Sequence, residues 1–117
     1  MDQHSTLLDG AFLALADPTR RAVLGRLGEG PASVGELARP FAMALPSFMK
    51  HIHMLEGSGW ITTRKRGRVR VCVLQPRAFA TASAWLAERQ AEWEARFDRL
   101  DAWLAEHPDT PEETPHV

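Results

Sequence analysis

The stretch LPSFMKHIHMLEGSGWITTRKRGRVRVCVLQP, residues 45–76, changes its apolar period in mid-course, and that change decides the fold. In its first half, Leu45, Phe48, Ile52 and Leu55 fall on one side of a helical wheel turning about 100° per residue. Ser47, Lys50, His53 and Met54 fall on the other side. Pro46 suits the opening turn of such a helix, where its missing N–H would have had no partner, and Gly57 and Gly59 stop it. A helix is therefore expected over residues 46–56. From Ile61 the period shortens to two: Val69, Val71 and Val73 alternate with Arg68, Arg70 and Cys72, the pattern of a half-buried strand. Residues 61–65 are its expected partner, Arg66-Gly67 the turn, and Pro76 the stop.

Upstream, Ser33-Val34-Gly35-Glu36 reads as a capping box, in which hydroxyl and carboxylate each satisfy a neighbouring backbone donor. It opens a short helix over residues 34–39, and Pro40 cannot continue it. Two short helices with a turn over residues 40–44 between them make a helix-turn-helix candidate. Asp17-Pro18 starts another helix, with Val23, Leu24 and Leu27 as its buried stripe and Gly28 to Gly30 as its end. Leu7, Leu8, Phe12 and Leu15 place a first helix over residues 6–15.

Downstream, no Gly or Pro interrupts residues 77–106, so a helix of roughly 45 Å is expected at about 1.5 Å per residue. Leu86, Trp93 and Leu100 recur every seven residues, with Phe97 and Leu104 in the offset series, the seam of a coiled coil. A domain of this size cannot cover so long a helix, and the seam calls for a partner. The fold class expected is mainly α with a small β-hairpin: a winged helix-turn-helix with a long C-terminal dimerisation helix. One domain spans residues 1–107, and residues 108–117, HPDTPEETPHV from His107 onward, form an acidic tail expected to be disordered.

Composition agrees with one ordinary globular domain: 117 residues, 44% hydrophobic and 25% charged. The net charge of −1 conceals a division. Residues 1–77 hold 11 Lys/Arg against 6 Asp/Glu, whereas residues 78–117 hold 3 against 9. Separated signs let one surface meet a polyanion while another does not. The N-terminus lacks the basic start and continuous apolar run of an export signal, and no stretch approaches a membrane span. The single cysteine, Cys72, forms no internal disulfide, so a cytoplasmic location is expected.

The helix face carrying Ser47, Lys50 and His53 offers a hydroxyl, a cation and an imidazole to phosphates and base edges in a major groove. His51, at the edge of that face, either touches a phosphate or bonds at the rim of the core. Arg64, Lys65, Arg66, Arg68 and Arg70 crowd the hairpin tip, where their mutual repulsion is offset by a polyanion. Arg20 and Arg21 either add backbone contacts or pair with a neighbouring acid. Cys72 has no resolving cysteine, although the nearby arginines favour its thiolate, so a structural thiol is weighed against a redox sensor. Trp60, Trp85, Trp93 and Trp103 sit at spacings of packing anchors, with an effector crevice as the alternative. His51 and His53 point in different directions, and His107 and His116 lie at or beyond the end of ordered structure, so no metal site is expected. No nucleophile-base spacing or phosphate loop suggests an enzyme, and no cofactor is expected.

Taken in order, ALADPTRRAVLGRL (14–27), VGELARPFAMALPSFMKHIHMLEGSGWI (34–61) and RKRGRVRVCVL (64–74) resemble the ArsR/SmtB family of bacterial repressors. The resemblance covers residues 12–74, and WLAERQAEWEARFDRLDAWLAE (85–106) is similar to the dimer helix of a subgroup without metal ligands. It implies a homodimer on an imperfect DNA palindrome, autoregulation of a small operon, and an inducer, such as a small molecule, that releases the DNA. The dimer surface expected comprises Leu86, Trp93, Phe97, Leu100 and Leu104 with Leu8 and Phe12 of the first helix. Metal sensing is not implied, because ELARPFAM (36–43) lacks the cysteines that family sensors carry there. Ala44 stands where the subgroup has a hydroxyl residue, and Met49 where Ser precedes Lys-His. The alternative to a repressor is a protein-protein module on a winged-helix scaffold with weakened DNA binding.

Overall fold

Local capping chemistry sets where the helices begin. In a computed structural model, which describes residues 3–108 and side chains from residue 6, helix α1 runs Gln3–Leu15 and α2 Pro18–Leu27. Between them Asp17 takes an extended conformation, and its Oδ2 accepts from the N–H groups of Thr19 (2.8 Å) and Arg20 (3.1 Å). Two otherwise orphaned donors of α2 are thereby satisfied. Strand β1 (Ala32–Ser33) leads into α3 (Val34–Ala38) through the capping box: Glu36 N donates to Ser33 Oγ at 3.1 Å and Ser33 N to Glu36 Oε1 at 3.0 Å. Helix α4 (Leu45–Gly57) has Ala44 as its N-cap, with no side chain bonded to its first turn. Strands β2 (Ile61–Arg66) and β3 (Val69–Leu74) form the hairpin, and α5 covers Pro76–Glu106.

The expected hairpin is part of a three-stranded antiparallel sheet of order β1-β3-β2. Ala32 pairs with Cys72 and Ser33 with Val71. The turn also shifts by one residue from Arg66-Gly67: Arg66 pairs with Val69, leaving Gly67-Arg68 as the two-residue loop. Gly67 has φ +62, and among the described residues no non-glycine residue, Arg68 included, has a positive φ, the pattern used by type II′ hairpins. The strand faces differ from expectation as well. Cys72, in the middle of the central strand, is fully buried, while Val71 and Val73 are half-buried and Val69 is exposed. Cys72 lies between Ala32 and Thr63 of the flanking strands; Val69 pairs with Arg66 at the end of the hairpin next to the turn and is 47% exposed.

Phe48, Ile52 and Leu55 of α4 are fully buried among Val23, Leu27, Leu37 and Ile61. Phe41 tilts against Phe48 with ring centroids 5.7 Å apart. Trp60 closes the far end, its Nε1 donating to Ala11 O at 3.1 Å and its ring meeting the edge of Phe79. Two residues of α4 depart from the wheel. Leu45 is 57% exposed, because it opens the helix one turn before Phe48, where nothing covers it. Met54, expected outside, packs half-buried against the core.

By its internal contacts the chain divides into two units, Met1–Ala84 and Trp85–Val117. The second consists, among the described residues, of the later turns of α5. Leu86, Trp93, Phe97, Leu100 and Leu104 are all about half exposed there. The expected tail lies outside the described residues except for Pro108, and so does His116. Among the described residues, no helix is long and apolar enough to cross a membrane.

Candidate nucleic-acid interface

Burial of Phe48, Ile52 and Leu55 turns the opposite side of α4 outward, and Ser47, Lys50 and His53 are all exposed on it. His51 sits at the margin, its side chain 21% exposed. Arg20 Nη1 lies 3.1 Å from His51 Nδ1 and the Asp17 carboxylate 3.8 Å from the same atom. Desolvation pushes the Asp17 carboxyl up, but the Arg20 backbone N–H, the His51 charge, the Thr19 N–H and the Arg20 charge together hold it below its ordinary value. His51 is thus tied to the start of α2 at the rim of the core.

Arg20 and Arg21 are largely committed within the chain. Arg20 Nε donates to Ala14 O at 2.7 Å and Nη2 to Leu13 O at 2.9 Å; Arg21 Nη1 donates to Leu15 O at 2.7 Å. These are carbonyls at the end of α1, which lack intrahelical partners and carry the negative end of the helix dipole. The sequence showed the two arginines but not this use of them, since the acceptors are backbone atoms six or seven residues away.

All five wing cations, Arg64, Lys65, Arg66, Arg68 and Arg70, are exposed, and no ion pair among the described residues involves them. Arg70 is braced: its Nη1 donates to Thr63 Oγ1 at 2.8 Å, and that hydroxyl donates to Glu56 Oε2 at 2.9 Å. The relay joins the wing to the last turns of α4. Thr63 and Glu56 were not singled out in the sequence, where each looks like ordinary surface. The cross-strand register that opposes Thr63 to Cys72, next to Arg70, was the missing signal.

Of the two readings of Cys72, the structural thiol is the one its surroundings favour. Burial pushes its thiol up, Glu56 pushes further, and Arg70 opposes them less. Among the described residues, no three His, Cys, Asp or Glu side chains come close enough to hold a metal ion. His107 stacks on Trp103 at 4.0 Å at the end of α5. Of the tryptophans, Trp60 lines a cavity, an apolar space of about 610 Å³ with Leu15, Leu24, Leu74 and Phe79 around it.

The fold that carries these two surfaces is similar to solved structures of known regulators. The crystal structure of the ArsR family transcriptional regulator RHA00566 superposes with TM-score 0.75 at 65% identity, over 80% of this chain and 97% of that one. The chain belongs to the ArsR family. An ArsR-like transcriptional regulator from Rhodococcus sp. RHA1 matches with TM-score 0.71 at 26% identity, over 84% of this chain and 92% of its own. The HTH-type transcriptional regulator Rv2034 of Mycobacterium tuberculosis is 42% identical over 62% of this chain and 67% of its own length. The transcriptional repressor SdpR of Bacillus subtilis is 31% identical over 52% of this chain and 68% of its own. A family of helix-turn-helix domains matches residues 15–64, which run from the end of α1 into β2. As an ArsR protein, the chain is a DNA-binding transcriptional regulator, and the matched helix-turn-helix segment includes α4.

Proposed function

We propose that the protein is a cytoplasmic homodimeric repressor that binds an imperfect palindrome upstream of its own or a neighbouring operon. The observation that carries this reading is the pairing of two surfaces. The face of Ser47, Lys50 and His53 on α4 enters the major groove, and Arg64, Lys65, Arg66, Arg68 and Arg70 grip the flanking backbone. His51 lies close enough to that face to reach a phosphate, whereas Arg20 and Arg21 act mainly by holding α1 to α2.

The exposed seam of Leu86, Trp93, Phe97, Leu100 and Leu104 supports pairing of two chains, with Leu8 and Phe12 of α1 contributing. A two-fold dimer presents its α4 helices to half-sites about 34 Å apart, one helical turn of DNA. Repression is supported by the likeness to SdpR, which is itself a transcriptional repressor. A small organic inducer is accommodated by the apolar cavity behind Trp60. The buried, suppressed thiol of Cys72 gives a redox signal no support.

Electrophoretic shift with the upstream DNA tests the reading. Affinity should fall steeply as salt rises, because each neutralised phosphate releases counterions. No shifted band at low salt with any fragment would leave the protein-protein module as the better account.

A further inference from the structure

Leu45 has no place in the core, and a hydrogen-bonding face gives it no work. It is the first residue of α4 and is 57% exposed, with Met49 half-buried one turn further on. Val69, the first residue of β3, is 47% exposed. These three apolar side chains line one cleft of about 440 Å³, whose walls also include Arg68 and Arg70. Apolar surface left in water is unfavourable, and a group covering it must tolerate two adjacent guanidinium groups. A polyanion that also presents an apolar group meets both conditions. In duplex DNA the major groove offers one such group on its base edges, the C5-methyl of thymine, and the N-terminal residues of a recognition helix are those that reach base edges.

We propose that Leu45, backed by Met49, is a specificity-determining residue that reads a thymine in each half-site through its 5-methyl group. The inference rests on α4 lying in the major groove and assigns part of the sequence preference within that reading. Ser47 and Lys50 read polar edges; Leu45 senses the methyl, which is all that distinguishes thymine from uracil.

The test starts from duplexes that the full-length protein enriches from a random pool. Each thymine is then replaced in turn by uracil, which deletes only the methyl. Affinity should fall about fourfold at one thymine of each half-site, the worth of one buried methyl. Leu45→Ser, at an exposed position, should bind the thymine and uracil duplexes alike. Leu45→Ala, which keeps helix propensity, should behave in the same way and serves if the serine variant does not fold. Uracil duplexes bound within experimental error of their thymine parents would overturn the proposal, as would a full fourfold loss retained by both variants. A pool from which nothing is enriched would instead remove the major-groove reading on which it stands.

Discussion

Apolar side chains meet opposite fates in the two units of this chain. In Met1–Ala84, Phe48, Ile52 and Leu55 are at 0% exposure; in the later turns of α5, Trp93 and Phe97 are at 52% and 60%. Both sets repeat at helical spacing, so periodicity does not separate them. What separates them is the supply of cover. Helices α2 and α3 and the sheet fold back over α4, whereas the described residues provide nothing to cover the seam of α5. A single chain thus carries one finished core and one exposed apolar seam, which the proposed second copy would cover.

That contrast is most sharply tested by exchanging like for like. Phe48→Ala should cost about 3–5 kcal/mol in urea unfolding, the usual range for emptying a buried phenylalanine site. Phe97→Ala, the same chemical change, should leave intrinsic fold stability nearly untouched and act on association instead. An equal loss from the two variants would erase the distinction between the units.

Charge placed in the seam should break the dimer outright. Trp93→Glu with Phe97→Glu is expected to shift sedimentation at micromolar concentration from two chains to one. Operator affinity should fall at least about tenfold, since the second half-site is then no longer bound intramolecularly. A double variant that still sediments as a dimer would place the interface elsewhere.

On the wing the effect is smaller and spread over all sequences. Arg66→Ala with Arg68→Ala should reduce the slope of log affinity against log salt by about 0.9 for each phosphate that the wing no longer neutralises. Lys50→Ala, by contrast, should also alter which duplexes are enriched.

The smallest effects belong to the helix caps. Asp17→Ala should destabilise by about 1 kcal/mol at neutral pH, and Asp17→Asn, which can still accept from Thr19 and Arg20, by much less. Because the Asp17 carboxyl is held below its ordinary value, the folded protein binds fewer protons there than the unfolded chain. Its charge-dependent stabilisation is complete above about pH 4, the unfolded value, and is lost as pH falls through the lower folded value. Thermal melts should therefore show wild type and Asp17→Asn converging in acid. Ala44→Ser should stabilise by roughly 0.5–1 kcal/mol, since α4 lacks a side-chain cap and Ala44 is already extended.

Most helix boundaries and the class of fold were legible in the residues because the signals are local. Asp17-Pro18, the Ser33–Glu36 box and Gly59 act within one turn, and each structural boundary lies within a few residues of its expected place, although Gly57, expected as a stop, is the last residue of α4. The outward placing of Ser47, Lys50 and His53 was equally legible from the three buried residues opposite, although Met54, read as outward with them, packs half-buried against the core. The turn at Gly67-Arg68 was missed by one residue, since Arg66-Gly67 satisfies the same composition rule and only the pairing of Arg66 with Val69 distinguishes them.

By itself, then, the sequence determined the helices, the hairpin and the sign of the charge on each surface, which depend on neighbours along the chain. Only the tertiary structure decided that two residues, Ala32 and Ser33, form a third strand, that Cys72 and not Val69 is buried, that Arg20 clasps the end of α1, and that Leu45 stands open beside the wing. Each of these depends on which backbone or side chain arrives from elsewhere in the fold. A period in the sequence states the direction in which a side chain points, but not whether anything is there to meet it.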